Sequence, residues 1–332
     1  MLANLVLFSI SCVVMLSPLR SLAIPSYRVV TLNIDRSGPV HLAGFNAAGQ
    51  VIGYYETKID EETILHAFLW EKGKTIDLGT LPGDQGSQPF GINASGQIVG
   101  RSMGIHNRSH AFLWERGKMH ALDGTESQSS ATAINNRGQI AGYSESASKS
   151  ATIWFKGSRT DLVFPHPTRF SDGFSILGIN DCGQLIGGYS YLCMGSTYAF
   201  LWQNGAMYDF DTDENVMTQA TAINNQGTVI GQRQLLKRKI HGYLWQHDRE
   251  EELPFEPKAL NDHDQIFGEY AGHLFLYANG KTESLEPILP KHPDDDSFGN
   301  WHAIAINNRS QILCQNRKGC FVLVPENSKF GR

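Results

Sequence analysis

Four histidines recur at one position of a repeating pattern: His66, His110, His241 and His273 each open a short apolar stretch such as His110-Ala111-Phe112-Leu113-Trp114. Neutral imidazole is a good zinc ligand, so a ring of metal-binding histidines is the sharpest chemistry they could do. A residue repeated from unit to unit does one structural job in each, however, and copies spread around a ring cannot share an ion. Asp211, Asp213 and Asn215 space their oxygens like the start of a calcium loop. The loop glycine is missing, with Val216 following, and Ala222 stands where the closing glutamate belongs. A solvated acidic turn is the reading, and the same holds for Asp294, Asp295 and Asp296. Arg233, Lys237, Arg238 and Lys239 make a basic patch in an acidic chain, either a loop tip in water or a contact for an anion or acidic partner. The chain has no His-Glu-x-x-His, phosphate loop, Gly-x-Ser-x-Gly elbow or Cys-x-x-Cys pair. No cofactor is expected.

The 332 residues are 41% hydrophobic and 18% charged, with a net charge of −5. An acidic surface releases no counterions from nucleic acid, so that partner is excluded. Thirty-three glycines with 10% aromatics suit short strands joined by tight turns. Leu5 to Leu16 is an apolar run short for a bilayer span and suited to a signal-peptide core. Cleavage is expected after Ala23, leaving no stable membrane span and a secreted or periplasmic protein. Cys314 and Cys320 flank a short hairpin loop and are expected to form a disulfide, which an oxidising compartment permits.

Repetition is the strongest signal. Gly91-Ile92-Asn93-Ala94-Ser95-Gly96-Gln97-Ile98-Val99-Gly100 returns in seven versions, their asparagines being Asn46, Asn93, Asn135, Asn180, Asn224, Asn261 and Asn307. A second block follows each, as in His66-Ala67-Phe68-Leu69-Trp70, and then a glycine turn. These paired blocks resemble the HAF-repeat proteins, a mostly bacterial group predicted to be extracellular. The resemblance implies export and a repeat architecture, and it brings no catalytic residues.

Each unit of roughly 44 residues reads as four antiparallel strands, A to D. Strand A ends at Ile-Asn, and Asn-x-x-Gly fits a type I turn followed by a left-handed residue. Strand C is apolar on both faces, as a strand between neighbouring sheets must be. A four-stranded unit at this period is a propeller blade. The fold expected for residues 24–326 is an all-β, seven-bladed β-propeller, with 327–332 as a tail. Gly44, Gly91, Ala133, Gly178, Ala222, Ala259 and Ala305 stand two residues before the repeat asparagines. This column of small residues suggests crowding, and hence that strand A lies innermost. The last unit lacks a strand D, which Tyr27 to Leu32 is expected to supply, closing the ring and covering a sheet edge.

Loops that differ between copies are where function is sought, because shared positions hold the fold. The B–C and D–A loops vary, and an up-and-down blade places both on one face. Phe164, Arg169, Phe170, Tyr191, Arg233, Lys237, Arg238 and His302 are the expected binding residues there, the partner being an extracellular protein, peptide or glycan. A hydrolase or lyase at the channel mouth is the alternative, with Asp84, Gln88, His166, Arg169, Asp172 and His302 as its polar groups.

Overall fold

The computed structural model describes residues 26–326, apart from 37, 60, 125–127, 146–149, 163–173, 191–196, 212, 214–215, 236–239, 247–248 and 291–299. The leader with its expected cleavage point and the C-terminal tail fall outside these residues. Among the described residues, twenty-eight strands form seven antiparallel sheets of four. Val40–Phe45, Val51–Ile59, Glu62–Glu71 and Lys74–Asp77 are strands A to D of blade 1. The A strands of the other blades are Gly86–Ile92, Ser129–Ile134, Phe174–Ile179, Val216–Ile223, Glu256–Leu260 and His302–Ile306. Each A strand touches its counterparts in both neighbouring blades, so together they encircle one axis. The chain is a seven-bladed β-propeller. No helix among the described residues is long and apolar enough to cross a membrane.

Strand C explains its own composition. Ala67, Phe68, Leu69 and Trp70 are all buried. Phe68 and Trp70 enter the seam with blade 7, while Ala67 and Leu69 enter the seam with blade 2. Both faces are core, so the run shows no polar alternation. The C–D turn of blade 2 places Arg116 and Gly117 at φ 51° and 79°, the type I′ geometry that matches strand twist. The A–B turn puts Gly96 at φ 80°, as Asn-x-x-Gly implies. In the weaker sixth and seventh copies, Asp264 and Ser310 hold this left-handed place at φ 55° and 56°.

The ring closes through its two ends. Tyr27 to Leu32 pairs antiparallel with Cys320 to Pro325 as the outer strand of blade 7, in the register Tyr27↔Pro325 to Leu32↔Cys320. Glu326 N–H donates to Ser26 O at 2.9 Å, and Ser26 Oγ to Glu326 Oε2 at 2.5 Å.

Two expectations need correction. Strand A is innermost, but the small-residue column is not the crowded one. A Cβ on Gly44 would meet nothing within 4 Å, one on Gly91 would be in ordinary contact at 3.4 Å, and one on Gly178 would be tight only against the Ile186 side chain, at 3.1 Å, and that of Ile223, at 3.3 Å. The tight column is strand B, where a Cβ on Gly100 would fall 2.1 Å from the Gln88 carbonyl oxygen and 2.9 Å from the Phe112 ring. Gly53, Gly142, Gly187, Gly231 and Gly268 are hemmed in the same way by a strand A carbonyl. The cause is a bulge in every A strand, such as the register shift between Pro89 and Gly91, which bends the strand towards its partner.

The expected disulfide is absent, Cys314 and Cys320 being free thiols. Cys314 lies opposite Phe321 and Cys320 opposite Gln315, one rung apart. Adjacent rungs point to opposite faces. Cys314 therefore packs in the seam with blade 6 and Cys320 in the seam with blade 1. Burial pushes the Cys320 thiol up to about 11 and raises Cys314 further.

Candidate functional site

Each A strand begins at the loop face and ends at its asparagine turn. Five residues before the asparagines stand His41, Gln88, Ser130, Ser175, Gln219, Glu256 and His302. Their strand B partners are Tyr54, Arg101, Tyr143, Gly188, Gln232, Glu269 and Gln315. One hydrogen-bonding side chain per inner strand thus rings the axis at one level. Ser175, Gln219 and His302 are exposed.

Neighbouring blades are tied through this ring. Gln315 Oε1 accepts from the N–H of Leu42 at 3.0 Å, and Glu269 Oε2 from that of Ala303 at 2.7 Å. Strand A pairs with strand B alone, so alternate N–H groups along it face away from the ladder and are left for such partners. Glu256 and Glu269 face each other across blade 6, with Lys258 Nζ 3.2 Å from Glu256 Oε2 and 3.8 Å from Glu269 Oε1. His302 Nδ1 is 3.9 Å from Glu269 Oε2, and Gln232 Nε2 donates to Glu256 Oε2 at 3.3 Å. Across the ring, His41 stacks on Tyr54 at 4.7 Å and pairs with Glu56 at 2.8 Å. Burial raises the Tyr54 phenol, Glu56 adds to the rise, and Arg101 opposes it. Arg101 donates from Nε and Nη2 to Gln88 Oε1 at 3.2 and 2.8 Å.

Of the residues expected from sequence, Gln88 and His302 belong to this ring. Asp84 instead meets the repeat histidine His110, Nδ1 to Oδ2 at 2.9 Å, in a buried pair. The other repeat histidines have different partners: His66 meets Thr57, His241 meets Glu252 and His273 meets Glu286. Among the described residues no group of three His, Cys, Asp or Glu is arranged to hold a metal. Arg233 is ion-paired to Glu250 and to Asp211, the latter at 3.2 Å. That bond also engages the first carboxylate of the calcium-like stretch, whose Asn215 lies outside the described residues. Phe164, His166, Arg169, Phe170, Asp172, Tyr191, Lys237, Arg238 and Asp294 to Asp296 lie outside them too. The sequence reading missed His41, Tyr54, Arg101, Glu256, Lys258 and Glu269. Counting five residues back from each asparagine finds the inner column.

The opposite face is occupied with itself. Asn46 Oδ1 accepts the N–H groups of Ala48 and Gln50 at 3.0 and 3.1 Å, and Nδ2 donates to Gln50 Oε1 at 2.7 Å. Its second Nδ2 hydrogen goes to the Asn93 carbonyl of the next blade at 3.0 Å. The same bond runs from Asn93 to Asn135, then Asn180, Asn224, Asn261 and Asn307, and back to Asn46. In blade 5, Thr228 replaces the glutamine, and Asp264 Oδ1 from blade 6 accepts from Asn224 Nδ2 instead, at 2.8 Å. A second arc, Asn136–Asp181–Asn225–Asp262–Asn308, links side-chain oxygens to the main-chain N–H of the preceding blade. The asparagines are turn residues, as expected, and they also join blade to blade.

Solved structures share this architecture. The fold is similar to a puromycin-hydrolysing peptidase of Mycobacterium tuberculosis, at TM-score 0.59 and 12% identity over 88% of this chain and 52% of that one. It is similar to an oligogalacturonate lyase of Vibrio parahaemolyticus, at TM-score 0.56 and 10% identity over 91% and 94%. The propeller domain of the Trilobed protease of Pyrococcus furiosus matches at TM-score 0.51 and 8% identity over 86% and 92%. At such identities the likeness is one of fold. No protein-family model matches the sequence, and no curated protein does.

Proposed function

We propose that this chain is an exported propeller of the HAF-repeat type that binds a glycan at the loop-side mouth of its axis. One observation carries the reading: five of the seven blades carry a hydrogen-bonding pair of residues at one level, blade 3 adds Tyr143 beside a buried Ser130, and blade 4 presents Ser175 beside Gly188. Sugar hydroxyls both donate and accept. The ring offers carboxylate acceptors in Glu256 and Glu269, cationic donors in Arg101 and Lys258, and serine and amide groups that do both. Tyr54 and Tyr143 add flat contact area at low entropic cost. The turn face offers no such surface, because its asparagines are consumed by their own collar. A glycan array probed with the chain from Ile24 onward tests this. Binding should weaken on Gln219→Ala or His302→Ala, with the melting temperature unchanged, and an array without hits overturns the reading.

A second reading rests on the cluster of Glu256, Lys258, Glu269 and His302, which puts acid and base groups side by side. It makes the protein a hydrolase or lyase acting at the same mouth. Shortened products from any bound oligosaccharide, lost in Glu269→Gln, distinguish it from binding alone.

A further inference from the structure

We propose that Arg101 is an anion-holding residue of the mouth, and that the glycan taken there carries a carboxylate, as in a chain of uronic acids. The inference rests on the glycan reading above and names its substrate class.

Arg101 stands at a position that does structural work in other blades. Gln315 and Glu269, its counterparts in blades 7 and 6, present oxygens to the N–H groups of Leu42 and Ala303 in the next blade. A guanidinium has five donors and no acceptor. Arg101 therefore cannot perform that task, and neither can Gly188 at the same position of blade 4, so not every blade requires it.

Its surroundings hold it in place without cancelling its charge. Nε and Nη2 both donate to the neutral Gln88 Oε1, at 3.2 and 2.8 Å. The guanidinium carbon lies 5.7 Å from the centre of the Phe90 ring. Other basic groups are differently placed: Lys258 lies between Glu256 and Glu269, Arg233 meets Asp211 and Glu250, and Arg159 meets Asp123 and Asp161. Among the described residues, Arg101 is in no ion pair. In a chain of net charge −5, a fixed and unneutralised guanidinium beside the axis is a site for an anion.

The free edge narrows the anion. Gln88 takes the edge formed by Nε and Nη2, which leaves the end bearing Nη1 and the second Nη2 hydrogen. Two parallel N–H groups there match the two oxygens of a planar carboxylate. With the Gln88 amide against it and the Tyr54 phenol close enough to feel its charge, a carboxylate on a polyhydroxylated chain fits better than a bare anion.

Titration calorimetry of the chain from Ile24 tests this, with trisaccharides of galacturonic, glucuronic and mannuronic acid and the methyl ester of each. At least one acid should bind, more weakly as salt is raised, and its ester about 10-fold or more weaker. Arg101→Gln should weaken the acid about 10- to 100-fold, weaken the ester several-fold less and keep the melting temperature. Gln88→Ala, which frees the guanidinium, should give a smaller loss. Equal binding of acid and ester, unaffected by Arg101→Gln, overturns the carboxylate assignment and leaves the glycan reading standing. Absence of any sugar ligand, here and on a neutral glycan array, overturns both. Arg101-dependent binding of a peptide C-terminus with no sugar bound also overturns the proposal.

Discussion

Asn307 donates from Nδ2 to the main-chain carbonyl of Asn46 at 3.2 Å, across the seam between the last blade and the first. The two residues are 261 positions apart, whereas the other bonds of this collar span 37 to 47. The collar is thus a second closure of the ring at its turn face, independent of the paired termini at the rim. Asn307→Ala would leave the Asn46 carbonyl and the N–H groups of Arg309 and Gln311 without their side-chain partner. The expected loss is about 1–3 kcal/mol, read from urea denaturation. Arg309→Ala, in the same turn, removes an exposed side chain while keeping its main-chain bond to Asn307, and should stay within about 0.5 kcal/mol. Equal effects would mean that the collar contributes nothing of its own.

Removing residues 24–33 takes away the outer strand of blade 7 and exposes the edge of Cys320 to Pro325. Aggregation or a large drop in melting temperature is expected. An unchanged melting temperature would show that the terminal pairing does not hold the ring.

Gly100 and Gly91 lie next to the same bulge and should respond oppositely to an added methyl group. Gly100→Ala drives a Cβ to 2.1 Å from the Gln88 carbonyl, while Gly91→Ala meets Val99 at 3.4 Å. The first should cost about 1–3 kcal/mol or more. The second should be near neutral, since the space is there and alanine lowers unfolded-chain entropy. Denaturant midpoints of both variants decide it, and the reverse order would contradict the crowding of strand B.

Tyr55 donates to Asp77 Oδ2 at 2.5 Å, and burial followed by this bond pushes its phenol up to about 12. An unfolded tyrosine ionises near pH ~10. Between those values the unfolded chain has released a proton that the fold retains, so stability declines as pH rises through the window. Below it the contribution is whole. Tyr55→Phe should give a shallower loss between pH 10 and 12 in urea midpoints. An unaltered slope would remove Tyr55 from the alkaline transition.

The blade count, the strand order within each unit and the closing strand were legible in the sequence because their signals are local. A repeat asparagine, a glycine turn and an apolar strand C recur at a steady period, and Tyr27 to Leu32 stands outside that period as the one strand left over. The mouth was legible only in Gln88 and His302. Its other members, His41, Arg101, Glu256 and Glu269, come from blades far apart in the chain. Arg101 and Glu269 stand opposite Gln88 and Glu256 only after the bulge in the A strand has shifted the register by one, as between Pro89 and Gly91. Side chains alternate along a strand, so a one-residue shift moves a residue to the other face. The same alternation separates Cys314 from Cys320, which spacing alone would have paired. Sequence by itself determined how many blades this protein has and where each begins. Tertiary structure decided which side chains meet at the axis, because that depends on register summed across blades and not on any one repeat.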